Sequence, residues 1–166
     1  MRVLLLSLCI TIALSSDSKV SAQQSPLVGS WRLVSFQTTP VGGGKTLVVP
    51  PEHLKGYVIL TQEGRLMTVA TGTTGSDRKK IPTSDADEAT LWETLVAYTG
   101  RYRIEGNDFV TKVDVSWNEA WIGTEQRRHY KVEGDTLTVV SAPYPVGSGS
   151  QPNAMVTSTL VLEREE

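Results

Sequence analysis

From residue 27 onward the chain alternates apolar and polar positions in short runs, the period-2 pattern of half-buried strands. Eight strands are predicted, over residues 27–38, 55–61, 65–71, 101–105, 109–117, 121–133, 136–142 and 155–164. Three connections are tight and contain glycine: Gln62-Glu63-Gly64, Gly106-Asn107-Asp108 and Gly134-Asp135. Three others are long and rich in Gly, Pro, Ser or Thr, over residues 39–53, 72–84 and 143–153, and read as loops. The fifth connection, Asn118-Glu119-Ala120, is short. Only residues 85–98 break the β pattern. Ser84 or Asp85 can cap a helix there, Asp87 and Glu88 suit its first turn, and Leu91, Leu95 and Tyr98 recur at helical spacing beside Trp92. The helix is thus expected between the third and fourth strands.

The first 22 residues have a different character. Met1-Arg2 precedes an apolar run from Val3 to Leu14, and Val20-Ser21-Ala22 supplies a small-x-small exit, the shape of a secretory signal peptide. The run is shorter than the roughly 20 residues that span a bilayer, so no stable membrane insertion is expected. Cleavage after Ala22 would leave residues 23–166, one domain's worth of chain, as an exported protein, periplasmic or secreted, with residues 23–26 as a disordered lead-in. Cys9, the one cysteine, leaves with the leader, which excludes disulfides and thiolate metal sites. Without Arg2, Lys19 and Asp17 the 16 basic and 18 acidic residues become 14 and 17. That balance argues against a nucleic-acid partner. Gly42-Gly43-Gly44 lacks the spacing and the following helix of a phosphate loop, and Arg78-Lys79-Lys80 reads as a solvated charge run.

Four stretches carry a family resemblance. Gly29-Ser30-Trp31 resembles the Gly-x-Trp signature that opens the first strand of lipocalins. Tyr98-Thr99-Gly100-Arg101-Tyr102 is similar to the Tyr-x-Gly-x-Tyr run of one subgroup. Val113-Asp114-Val115-Ser116 and the stretch from Trp121-Ile122-Gly123-Thr124 to Glu125-Gln126-Arg127-Arg128 match its further motifs. The chain resembles a bacterial lipocalin-like domain protein of the calycin group. The resemblance implies an all-β fold, an eight-stranded up-and-down antiparallel barrel binding a small molecule. It also implies that Gly29 and Trp31 plug the closed end, with Arg164 lying across the tryptophan ring. The subgroup's histidine before the Val-acid pair is replaced here by Thr111 and Lys112, so any role it has elsewhere does not transfer.

Alternate connections of such a barrel lie at the same end. The tight turns therefore gather at one end with Trp31 and Arg164, and the long loops at the other. Alternation assigns the faces. Thr124, Gln126, Arg128, Tyr130 and Val132 are expected inside, with Phe109, Thr111, Val113, Val115 and Trp117 on one neighbouring strand and Tyr102 and Ile104 on the next. Trp121 is expected at the rim. The candidate ligand-binding residues are thus Tyr102, Val113, Val115, Trp117, Trp121, Gln126, Arg128 and Tyr130, for a small, mainly apolar or amphipathic ligand held by a monomer. Arg128 has no acidic residue on the inward faces nearby. Its guanidinium is satisfied either by carbonyls, water and tyrosine hydroxyls, or by an acidic or carbonyl oxygen of the ligand. His53 in a Pro-rich loop and the outward His129 show no ligand spacing, so no metal and no cofactor are expected. No catalytic residue is assigned. An isomerase or cyclase acting on a carbonyl-bearing molecule is the alternative, with Tyr102, Gln126 and Arg128 polarising the carbonyl.

Overall fold

The computed structural model describes residues 25–72, 81–146 and 154–165. The expected signal peptide, the run Arg78-Lys79-Lys80 and residues 147–153 of the last loop lie outside the described residues. The chain forms strands β1 (Gly29–Pro40), β2 (Leu47–Val49), β3 (Leu54–Leu60) and β4 (Arg65–Gly72), then helix α1 (Asp85–Glu93). There follow β5 (Leu95–Glu105), β6 (Asp108–Ser116), β7 (Glu125–Glu133), β8 (Thr136–Ser141), β9 (Tyr144–Val146) and β10 (Ala154–Arg164). Single 3-10 turns stand at Pro51–His53 and Glu119–Trp121.

All neighbours are antiparallel, and β1 pairs back onto β10 from Trp31 opposite Arg164 to Pro40 opposite Val156. The eight longer strands thereby close a barrel, as alternation and loop parity lead one to expect. Two short strands lie in stretches read as loop. β2 continues the ladder that β3 begins along β1, and β9 does the same beside β8 along β10. Three residues leave no legible alternation, and their pairing comes from the long neighbour.

The helix departs from expectation in place and length. It follows β4 rather than lying between the third and fourth strands, because β2 advances the count by one. Its N-terminus is built as the sequence suggests, with the Asp87 amide donating to Ser84 Oγ at 3.3 Å and the Thr83 amide donating to Asp87 Oδ2 at 3.0 Å. It stops at Glu93 because Leu95 to Thr71 begins a ladder with β4 that runs through Tyr98 opposite Thr68. Leu95 and Tyr98 are therefore strand residues. Cross-strand pairing of a Val- and Tyr-bearing segment overrides its helical spacing.

Two bulges set which way side chains face. In β1, Val34 lies outside the register with β10, so Trp31 and Leu33 point inward before it and Phe36 and Thr38 after it. In β6, Val113 pairs with Gly100 and Val115 with Thr99, leaving Asp114 unpaired. A bulge reverses the alternation beyond it. Val115, expected inside, therefore lies on the outer wall, 60% exposed. Gly100 permits the tight approach, since a Cβ there would collide with the Lys112 carbonyl and the Thr111 side chain.

Arginines and carboxylates dominate the outer face of β5 to β7. Arg103 pairs with Glu105 at 2.7 Å and Glu125 at 2.8 Å, and Arg127 pairs with Glu105 and with Asp108 at 2.8 Å. Arg127 and then Arg103 hold the Glu105 carboxyl below its ordinary value. Such exposed pairs contribute little individually. Val110, between Arg103 and Arg127 in register, faces outward yet is buried.

The closed end is the densest part. Trp31 is wholly buried among Leu27, Leu33, Leu60, Leu66, Leu137 and Leu162, and its indole N–H donates to the Leu27 carbonyl at 2.9 Å. Arg164 Cζ stands 4.1 Å from the ring centroid. The same guanidinium donates to the Val28 carbonyl at 3.0 Å and the Pro26 carbonyl at 2.7 Å. Ser25 and Pro26, read as part of a disordered lead-in, thus belong to a cap over the barrel's end, with the Val28 amide bonded to the Ser25 carbonyl. A Cβ on Gly29 would come within 2.5 Å of Arg164 Nη1, which accounts for glycine beside the tryptophan.

Trp31→Ala should cost about 3–5 kcal/mol, the range for emptying a buried aromatic site. Arg164→Ala should cost less, because a partly exposed cation over a ring is worth about 0.5–2 kcal/mol. Denaturant unfolding of both single variants and the double variant should show non-additive losses. Strict additivity would mean that the two side chains do not support each other.

Candidate functional site

The tight turns leave the closed end sealed, and the interior widens toward the long connections into a cavity of about 580 Å³. Its wall on the β1, β3 and β4 side is mainly apolar, with Phe36, Val58, Leu60, Leu66 and Ala70, and carries the hydroxyls of Thr38, Thr68 and Thr71. Further polar groups line the strands from β7 to β10: Gln126 and Arg128 on β7, Ser141 on β8, Tyr144 on β9 and Ser158 on β10. Tyr144 Oη and Ser158 Oγ share a hydrogen bond of 2.6 Å, and the Ser158 amide donates to Ser141 Oγ at 2.9 Å. These three hydroxyls therefore bond one another or backbone along one stripe of wall.

Two tryptophans stand at the mouth. The connection from β6 to β7 runs over residues 117–124, longer than expected, because Trp121 belongs to the 3-10 turn rather than to the strand. Asn118 caps that turn, accepting from the Ala120 amide at 3.1 Å. The segment folds back so that the Val113 amide donates to the Thr124 carbonyl and the Gly123 amide to the Val113 carbonyl, at 3.0 and 2.9 Å. Trp117 is tied to the barrel through its amide and the Ala97 carbonyl at 2.8 Å. The result is an aromatic chain, Trp117 edge-on to Trp121 at 4.7 Å and Trp121 edge-on to Tyr98 at 5.5 Å. All three line the cavity.

Of the eight candidate ligand-binding residues, four come together on the cavity wall: Trp117, Trp121, Gln126 and Arg128. Val113 is buried in the core, and the Tyr130 ring packs against Phe109 at 6.0 Å. Tyr102 is half-buried, and its hydroxyl donates to the Thr61 carbonyl at 2.8 Å. Burial, followed by the neighbouring Tyr130 and Glu63, pushes the Tyr102 phenol above its ordinary value. The trio Tyr102, Gln126 and Arg128 is therefore not assembled around one point. Its tyrosine proton is already engaged by backbone. Val115 lies on the outer wall for the reason given above.

Gln126 and Arg128 form a unit. Arg128 Nη2 donates to Gln126 Oε1 at 3.3 Å and Nη1 to the Arg127 carbonyl at 3.0 Å, while Gln126 Nε2 donates to Thr124 Oγ1 at 3.0 Å. Among the described residues no carboxylate pairs with Arg128. His129 stands outside on Asp108 at 3.0 Å, and no group of three metal-ligating side chains occurs among the described residues. Phe36, Thr38, Tyr144, Ser158 and Leu160 also line the cavity and lie beyond the three strands whose alternation assigns the inward faces. Alternation along residues 154–164 carried the signal for Ser158 and Leu160.

A closed antiparallel barrel, plugged at one end and hollow toward the other, is the architecture of barrels that enclose one small ligand. A family model described as Lipocalin-like domain matches residues 28–164, and the chain belongs to that family. No curated protein matches the chain in sequence at a significant level. No helix among the described residues is long and apolar enough to cross a membrane.

The mouth depends on the β6 bulge, and the bulge depends on Asp114. Thr99 Oγ1 donates to Asp114 Oδ1 at 2.6 Å, and Arg65 pairs with the same carboxylate. The Thr99 bond first, and Arg65 after it, hold the carboxyl below the usual aspartate value. A depressed folded value contributes stability that is complete above the unfolded pKa of about 3.9 and lost as pH falls through the folded value. The stability gap between wild type and Asp114→Asn should therefore be full at neutrality and shrink as pH falls below about 5, through the unfolded value of about 3.9 and on toward the lowered folded one. Urea midpoints across that range measure it, and a gap independent of pH would show that the charge is irrelevant to the bulge.

Proposed function

We propose that the barrel holds a small, mainly apolar molecule in this cavity, admitted through the long-loop end, and that it does so as an exported monomer. The observation that carries the reading is the hollow interior itself. Its volume of about 580 Å³ falls within the roughly 300–1,000 Å³ of small-molecule sites, and its walls are mostly aliphatic and aromatic with a few convergent polar groups. Membership of the lipocalin-like family supports the same conclusion. The pattern of residues 1–22 and the cysteine-free remainder support export, to the periplasm or beyond. A closed sheet with only three-residue outer strands offers little free edge for another chain, which supports a monomer.

Trp117 and Trp121 report on occupancy, since a ligand at the mouth changes the surroundings of both rings. Titration with the neutral fluorophore N-phenyl-1-naphthylamine should quench tryptophan emission saturably by energy transfer. The response should fall sharply in a Trp117→Phe/Trp121→Phe variant that retains Trp31 in the plug and Trp92 on the exposed face of α1. Absence of saturable binding, or a response undiminished by the double substitution, would remove the cavity as the binding site.

A further inference from the structure

Seven arginines lie among the described residues, and five of them meet a carboxylate. Arg32 pairs with Glu163, Arg65 with Asp114, Arg103 with Glu105 and Glu125, Arg127 with Glu105 and Asp108, and Arg164 approaches Asp135 at 3.6 Å. Arg101 lies exposed on the outer wall, with the Glu63 carbonyl as an acceptor at 3.3 Å. Arg128 alone turns into the cavity, half-buried. Its hydrogen-bond partners among the described residues are neutral: the Gln126 amide oxygen and the Arg127 carbonyl. A guanidinium has five N–H donors, and these two acceptors engage two of its nitrogens. The one carboxylate on the cavity lining among the described residues, Glu93, stands exposed at the end of α1 and makes no ion pair with it.

We propose that Arg128 recognises the head of the ligand, and that the occupant is an apolar molecule ending in a single carboxylate or comparable monoanion. The proposal rests on the binding reading above and adds the chemical class. A partly desolvated cation without a counter-charge is unfavourable, and a ligand oxyanion supplies two charge-assisted hydrogen bonds in the fork geometry that arginine presents. Gln126, itself anchored on Thr124, holds the fork in position. A single cation matches a single negative charge. A phosphate monoester would call for a cluster of basic groups, and among the described residues the lining holds one. The mainly apolar β1, β3 and β4 wall takes the ligand's body.

Two fluorophores with one ring system separate charge from shape: 1-anilinonaphthalene-8-sulfonate, an anion, and N-phenyl-1-naphthylamine, its neutral counterpart. Arg128→Met should weaken the anion by about ten- to hundredfold, the range for a charge-assisted hydrogen bond at this kind of site. It should leave the neutral probe within about twofold, since a Met side chain keeps the wall apolar. Arg128→Lys should recover part of the loss, and decanoate should displace the anion from wild type far better than decanol does. If the neutral probe binds but Arg128→Met leaves the anion unaffected, the anionic head is wrong and the apolar-carrier reading stands. Equal loss of both probes in Arg128→Met would make Arg128 a support of the wall and overturn the proposal. If neither probe binds wild type, both readings fail.

Discussion

The clasp between Arg164 and Trp31 is the constraint on which the rest depends. A barrel exists only if its first and last strands meet, and these are the most distant segments of the chain. The register of β1 with β10 begins at this pair. There the guanidinium covers the indole and also binds the carbonyls of Pro26 and Val28, so that the chain's lead-in is drawn across the end as a cap. One side chain thus joins three segments, and the leucines packed round Trp31 exclude water from that end. Because packing is concentrated there, the other end is left hollow.

The hollow end is shaped by small irregularities in regular strands. Val34 and Asp114 each add a residue to one side of a ladder. Beyond Val34 the alternation reverses and delivers Phe36 and Thr38 to the cavity. Beyond Asp114 it sends Val115 outward, and Trp117 and Trp121 reach the mouth through the turn that follows. A bulge that curves a barrel wall therefore also chooses its lining. Gly100, with no side chain to obstruct the β6 backbone, makes the second bulge sterically accessible.

Charge is partitioned between the two faces of the wall. Outside, arginines and carboxylates interlock along β5, β6 and β7, with Glu105, Asp108 and Glu125 each held below the ordinary value by a neighbouring guanidinium. Inside, one guanidinium among the described residues stands amid aliphatic, aromatic and hydroxyl groups. The inner and outer faces alternate along one strand, Arg127 outward and Arg128 inward. Adjacent residues of the same type thereby meet opposite fates, one neutralised on the surface and the other available to an occupant.

Much of this was legible in the order of residues. Alternation marks the eight barrel strands, glycine-bearing turns against long loops mark its two ends, and Gly29-Ser30-Trp31 with Arg164 marks the plug. The inward face of β7, hence Gln126 and Arg128, follows from period 2 alone, because β7 runs without a bulge. Only the tertiary structure decided the remainder. Where α1 ends was settled by β4, whose ladder claims Leu95 to Tyr98 despite their helical spacing. The short strands β2 and β9 exist because a long neighbour offers unpaired backbone. Val115 left the site, and Tyr102 turned to the Thr61 carbonyl, through a register shift and a partner 41 residues away. Local sequence encodes the period of a strand, but an extra residue in one ladder is defined only against the strand opposite, so the lining waits on the closed fold.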